Sequence, residues 1–331
     1  MKKLVLMLLC VGFANFAMAN ESPNLQIPAD ANTTLTTQFE NIKTLEFPKD
    51  EKEEKELDEL FKAIETLDSD KIKALVKKNS RLVNLQNKNL DDERYFVPLH
   101  NAVLAYGEAT NDKAREVALK NIKILLDNKA DVNICFYQNQ EKVNLNAQIV
   151  IDTLYYNNIK LFDFLVENGG LDINHTCDNM HLLAFLFATK EKESKFELFK
   201  YMVDKKANPR HALYGASMEE MGEKADLLME NGKYDEMFAY IQTDEYKQRR
   251  DIAKKYINEI VTNYSVDDFE ISELQLVGMY FIFTKDSEFI KLMIDNGYLK
   301  NKVLKEYMLE VASKLKDEDI LKIIKGSSDE R

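Results

Sequence analysis

The 331-residue sequence has no tryptophan and little glycine, proline, cysteine or histidine: 10, 5, 3 and 4 residues respectively. That scarcity, set beside many Lys, Glu, Asn and Leu, favours helices over strands and turns. The scattered glycines exclude a phosphate-cradling loop, and no G-x-S-x-G or H-E-x-x-H motif occurs. Basic residues trail acidic ones, 45 against 57, for a formal charge of −12. A chain of that balance lacks the basic footprint that nucleic acid or anionic lipid requires. Beyond the N-terminus, no apolar run approaches the length of a membrane anchor. What is present, 45% hydrophobic and 31% charged residues, marks a folded chain rather than a disordered one.

The N-terminus reads as an export signal. Lys2 and Lys3 precede the apolar run Leu4–Phe13, and Ala17-Met18-Ala19 has the small-x-small pattern of a signal-peptidase site. Cleavage after Ala19 makes Asn20 the first mature residue and predicts a periplasmic protein. It also removes two lysines and no acid, so −12 becomes −14. Cys10 raises a lipoprotein as the alternative, but Met7-Leu8-Leu9 lacks the small residue expected before a lipidated cysteine. Residues 20–50 form a polar leader with Pro23, Pro28 and Pro48, and with one short helix expected near Thr36–Leu45.

Regular periodicity begins after the charged run Asp50–Glu56, which reads as a solvated first helical turn. Leu57, Leu60, Phe61, Ile64 and Leu67 follow the spacing of one amphipathic helix face. Asp68-Ser69-Asp70 interrupts, and Ile72, Leu75 and Val76 start a second stripe, giving a helix pair joined by a tight turn. The second stripe recurs. Aligning Val76, Leu126, Val166, Val203 and Ile294 gives spacings of 50, 40, 37 and 91, the last close to two periods. A repeat of that size predicts stacked units, none of which buries its apolar face alone.

One repeat carries a family resemblance. Val97-Pro98-Leu99-His100-Asn101-Ala102 resembles the T-P-L-H-x-A opening of an ankyrin repeat, and Ile122–Asn133 is similar to that family's second helix and its G-A-D-V-N ending. Other repeats end Glu167–Asn174 and Ser80–Asn84. Pro98 suits a first helical turn, where its missing N–H is not needed. Val97 and Lys129 depart from the family's Thr and Gly, and the unit is stretched near Gly107–Lys113. The resemblance implies an all-α solenoid of five to seven helix pairs: repeats over 51–210, a degenerate region over 211–265, and a terminal repeat with capping helices over 266–331.

The candidate sites follow from that register. Asp131, Asn133, Asp172 and Asn174 lie in the projecting fingers, and the adjacent pairs Phe136-Tyr137 and Tyr155-Tyr156 are candidate interface anchors. Partial burial against a neighbouring repeat is the alternative for these aromatics. Cys135 and Cys177 follow matching asparagines of consecutive repeats, so they either form a disulfide or remain free thiols. His175, Cys177 and His181 are the only ligand-like cluster, although without a standard zinc frame. His100 is expected to hydrogen-bond within the stack. The sequence holds no recognisable catalytic constellation and implies no cofactor.

The function expected is a non-catalytic, periplasmic scaffold, monomeric when free, that binds a protein partner of basic character. Exported bacterial proteins of this family class include immunity proteins that neutralise toxic effectors, phospholipases among them, and the resemblance implies that possibility. The alternatives are an envelope-stress factor handling metal or haem through His175–His181, and a secreted effector that binds host proteins.

Overall fold

A computed structural model of the chain describes residues 46–87, 97–138, 141–177, 181–188, 195–217, scattered positions between 224 and 240, and 241–327. The export signal, the leader up to residue 45 and the helix expected at Thr36–Leu45 lie outside the described residues. Among the described residues the chain is helical apart from one two-stranded hairpin, an isolated bridge and the connecting turns. It divides into two compact units, with the break between Asn208 and Pro209.

In the unit ending at Asn208, α1 (Glu51–Glu65) and α2 (Ser69–Lys78) form the first pair. Asp50 caps α1 by accepting the Glu53 N–H at 2.8 Å. Leu57, Leu60, Phe61 and Ile64 are buried, whereas Leu67 leaves the helix in the left-handed region at φ 55°. The charged run Asp50–Glu56 is largely solvated, and Glu53 is its exception at 2% exposed. Its carboxylate accepts from the Lys49 N–H at 2.9 Å, Asn79 Nδ2 at 3.1 Å and Arg81 Nη1 at 3.0 Å. Burial pushes this carboxyl up, but those donors together outweigh it and hold it below the ordinary range.

The next pairs are α3 (Pro98–Gly107) with α4 (Asp112–Asp127), α5 (Leu145–Tyr156) with α6 (Ile159–Gly169), and α7 (Leu182–Ala188) with α8 (Lys195–Asp204). First helices pack on first helices in the order α1, α3, α5, α7, and α2 packs on α4. Pro98 is the first residue of α3, and Leu99 and Ala102 are each 1% exposed. His100 is buried in this row, and its Nε2 lies 3.0 Å from Asp152 Oδ2, linking α3 to α5. Between α4 and α5 stands the hairpin β1 (Cys135–Gln138) and β2 (Glu141–Asn144), antiparallel, with Cys135 opposite Asn144. An all-helical reading does not anticipate this hairpin; the run Cys135-Phe-Tyr is strand-favouring, as aromatics are.

Several of the turns recur as well. After α1 and α5 a left-handed residue precedes the residue that opens the second helix, Leu67 before Asp68 and Asn157 before Asn158, whereas the longer α3–α4 connection has none. After second helices, Lys129, Gly170 and Lys206 are left-handed at φ 72°, 72° and 61°. Each lets the next N–H reach back into the helix, as in Ala130 to Leu125 O at 3.0 Å and Ala207 to Met202 O at 2.9 Å.

In the unit beginning at Pro209, α9 (Asp244–Asn263) packs on α11, the second helix of the pair α10 (Ile271–Phe283) and α11 (Ser287–Asp295). The pair α12 (Lys302–Leu315) and α13 (Glu318–Gly326) follows, α10 on α12 and α11 on α13. Its turns use the same device: left-handed Lys285 and Lys316 precede the caps Asp286 and Asp317. Asp286, 1% exposed, also pairs with Arg250 of α9. Tyr298 is fully buried, and its hydroxyl donates to Tyr264 O at 2.9 Å, which satisfies the one polar atom that burial would strand. Glu273 of α10 is buried at 4% exposure and faces the backbone N–H groups of His211 and Tyr214. Desolvation dominates those amides, and the carboxyl is pushed up to about 7.

Two outcomes are expected. Lys129→Gly and Lys206→Gly should each raise stability by about 0.5–1 kcal/mol in urea denaturation, because glycine removes the left-handed Cβ penalty but adds unfolded-state entropy. Glu273 binds its proton up to about pH 7 when folded and only to about 4.5 when unfolded. The native state therefore holds more protons in that window, and stability should fall as pH rises through it, by about 3 kcal/mol in all. Glu273→Gln should flatten that slope.

Candidate functional site

The finger side of the unit ending at Asn208 is organised by asparagine side chains that bridge neighbouring turns. Asn84 Nδ2 donates to Lys129 O at 2.8 Å, and its Oδ1 accepts the Asp131 N–H at 2.8 Å. One repeat later, Asn133 Nδ2 donates to Gly170 O at 2.7 Å and Oδ1 accepts the Asp172 N–H at 2.8 Å. Asn174 repeats the contact to Lys206 O at 3.5 Å and from the Asn208 N–H at 2.6 Å. In the second and third of these turns an aspartate holds the asparagine in place. Asp131 Oδ1 accepts the Asn133 N–H at 2.9 Å, and Asp172 Oδ1 accepts the Asn174 N–H at 2.8 Å.

These bonds fix what the finger residues can do. Of the finger residues singled out in the sequence, Asn133 and Asn174 tie one turn to the next through their side chains. Asp131 and Asp172 meet the preceding asparagine through their backbone N–H groups, and their side chains accept a bond within their own turn. Asn208 belongs to the same ladder and was not singled out by the sequence pattern. The signal was there: Lys206-Ala207-Asn208 stands in the register of Lys129-Ala130-Asp131.

The aromatic pairs separate in role. Tyr155 is 66% exposed at the end of α5. Its neighbour Tyr156 lies against Gly107, where a Cβ would run into the ring, and its hydroxyl meets Glu108 Oε1 at 3.3 Å. Desolvation, assisted by Glu108, pushes the Tyr156 hydroxyl up to about 12. Tyr156 is thus a packing residue that reads the stretched α3–α4 connection, and Tyr155 is the exposed one. Phe136 and Tyr137 lie in β1, but their side chains are outside the described residues.

Cys135 and Cys177 are joined in a disulfide across 42 residues, with Cα atoms 5.8 Å apart. It links the base of the hairpin to the following finger. His175 stands beside it, Nε2 3.9 Å from Cys135 Sγ and 4.0 Å from Cys177 Sγ. Among the described residues, Cys135, His175 and Cys177 form the group whose ligand atoms lie within 4.8 Å of one another. His181, grouped with His175 and Cys177 by sequence proximity, is not in it: it lies just before α7. Cys135, distant in sequence, takes its place because the asparagine ladder brings consecutive fingers together. No helix among the described residues is long and apolar enough to cross a membrane. No known family model matches the chain, and no curated protein matches it.

Asn133→Ala removes both bonds of one rung, and since water reaches that turn the expected loss is about 1–2 kcal/mol in denaturant unfolding. Cys135→Ser with Cys177→Ser opens a 42-residue loop in the unfolded chain, for an expected loss of about 4 kcal/mol by chain entropy. Equilibrium urea curves of the unit-spanning chain read both.

Proposed function

We propose that the protein is a non-catalytic, exported ankyrin-type scaffold that binds a protein partner through its finger edge. The observation that carries this reading is the asparagine ladder. Its rungs recur at the same place in successive helix pairs, between a left-handed residue and the next finger, in the register of the family's G-A-D-V-N ending. Such a ladder makes a rigid backbone row from which short projections stand out, and pre-organised surfaces bind with less ordering entropy. The hairpin β1–β2 is the projection from that row in the unit ending at Asn208, whereas the exposed Tyr155 stands at the far end of α5, beside the α3–α4 connection.

The acidic balance favours a basic partner, encountered faster at low salt. Among such partners, a toxic envelope-directed effector is the one this reading prefers, which would make the chain an inhibitor or immunity protein. The periplasm, reached through cleavage after Ala19, is the proposed site of action. In this reading the chain is monomeric until it meets its partner.

The test is a cross-linked capture from the envelope fraction with tagged mature chain, against the same chain carrying Phe136→Ala with Tyr137→Ala in the hairpin. One stoichiometric partner, lost roughly 30-fold in the variant and weakened by salt, is the expected outcome. Equal capture by both chains would take the hairpin, and with it the finger edge, out of the interface. A partner that gains no inhibition on binding would remove the inhibitor role.

A further inference from the structure

We propose that Cys135, His175 and Cys177 form a redox-gated site for a thiophilic cation, Zn²⁺ or Cu⁺, closed as the disulfide and opened by reduction. A structural disulfide needs no imidazole, yet His175 Nε2 sits almost equally far from the two sulfurs, at 3.9 and 4.0 Å. Two thiolates and one imidazole are the donor set such cations favour. With metal–sulfur bonds of about 2.3 Å and a metal–nitrogen bond of about 2.0 Å at tetrahedral angles, nitrogen and sulfur stand roughly 3.5 Å apart and the sulfurs roughly 3.8 Å apart. The imidazole is therefore within a few tenths of an ångström of its place. Only the sulfurs must separate, which rotation about the cysteine side chains provides at a Cα separation of 5.8 Å.

The backbone that carries the three ligands is held by bonds that do not depend on the disulfide. Cys135 pairs with Asn144 in the hairpin, and the Leu145 N–H donates to Ile134 O at 3.1 Å. Asn146 is fully buried, and its Nδ2 donates to Asp172 O at 3.1 Å and His175 O at 3.0 Å, fixing the segment that bears His175 and Cys177. The Asn133 rung joins the two fingers just before both cysteines. Cys135 and Cys177 are 1% and 5% exposed while His175 is half-buried, so the site opens to solvent on the histidine side, where water or another ligand completes the coordination.

The chemistry balances with a dithiol reductant. Its first thiolate attacks one sulfur and breaks the Cys135–Cys177 bond, and its second thiol displaces the mixed disulfide. The reductant leaves as its own disulfide, having given two electrons and two protons to the cysteines. The cation then replaces the two thiol protons, which pass to solvent, and takes the lone pair of Nε2 in the Nδ1–H tautomer of His175.

The test uses the full chain without a histidine tag, kept oxidised or reduced by a phosphine under anaerobic conditions and titrated with Co²⁺, then with Zn²⁺ in competition with a chromophoric chelator. A parallel titration uses Cu⁺ against a cuprous chelator, to tell the two cations apart. Expected are one equivalent bound and a thiolate-to-cobalt absorption band in the reduced chain, and neither in the oxidised chain. Cys135→Ser and Cys177→Ser should each abolish the band, and His175→Asn should weaken binding at least tenfold with the helical circular dichroism retained. His181→Asn should bind as the unchanged chain does. Binding by the oxidised chain, no band on reduction, or loss of helical signal on reduction would each overturn the proposal. So would affinity lost in His181→Asn but kept in His175→Asn.

Discussion

An asparagine side chain after one helix pair grips the backbone of the turn after the next pair, donating to one carbonyl and accepting from one amide two residues further on. Asn84, Asn133 and Asn174 do this in turn, and the geometry varies little between the first two rungs. A helix pair alone leaves one face of its first helix unburied. Stacking covers that face, but apolar contact has no direction and does not fix register. The rungs supply the register. They also require the preceding residue to turn into the left-handed region so that a carbonyl and an N–H are presented at the right separation, which is why Lys129 and Lys206 occupy a conformation that favours glycine.

The rest of the finger side follows from that constraint. Because Asn133 brings the finger after α4 against the finger after α6, Cys135 and Cys177 meet although 42 residues separate them, and His175 is carried to both sulfurs. The hairpin is anchored at the same point, through Cys135 and the Leu145 N–H. The Lys and Arg ion pairs among the described residues, by contrast, are mostly exposed and contribute little. Exceptions are those with one buried partner, Arg81 with Glu53 and Arg250 with Asp286, where removing the cation would strand a buried carboxylate.

Much of this was legible in the sequence, for physical reasons that differ by element. The stripes Leu57–Ile64 and Ile72–Val76 repeat at 3.6 residues, and a period that regular has one structural meaning. Pro98 marked the start of α3 because only a first turn tolerates it. Leu67 broke its stripe because the turn, not the core, needed that position. Harder to read were pairings between distant residues. Asp152 as the partner of His100, and Glu53 as the buried partner of Arg81, depend on which helices stack, which no local spacing states. Grouping His175 with His181 followed sequence proximity, whereas the fold groups His175 with Cys135. The finger residues showed their positions, but the bonds by which Asn133 and Asn174 reach the following turn are pairings between distant residues that no local spacing states.

The most direct measurement of the ladder is amide hydrogen exchange resolved by residue. The N–H groups of Asp131, Asp172 and Asn208 lie in turns, yet each is donated to an asparagine of the preceding repeat. They should exchange far more slowly than ordinary loop amides, and Asn133→Ala should release Asp172 while leaving Asp131 protected. Exchange of all three at loop rates, or an Asn133→Ala chain with Asp172 still protected, would contradict the claim that these side chains hold the repeats in register.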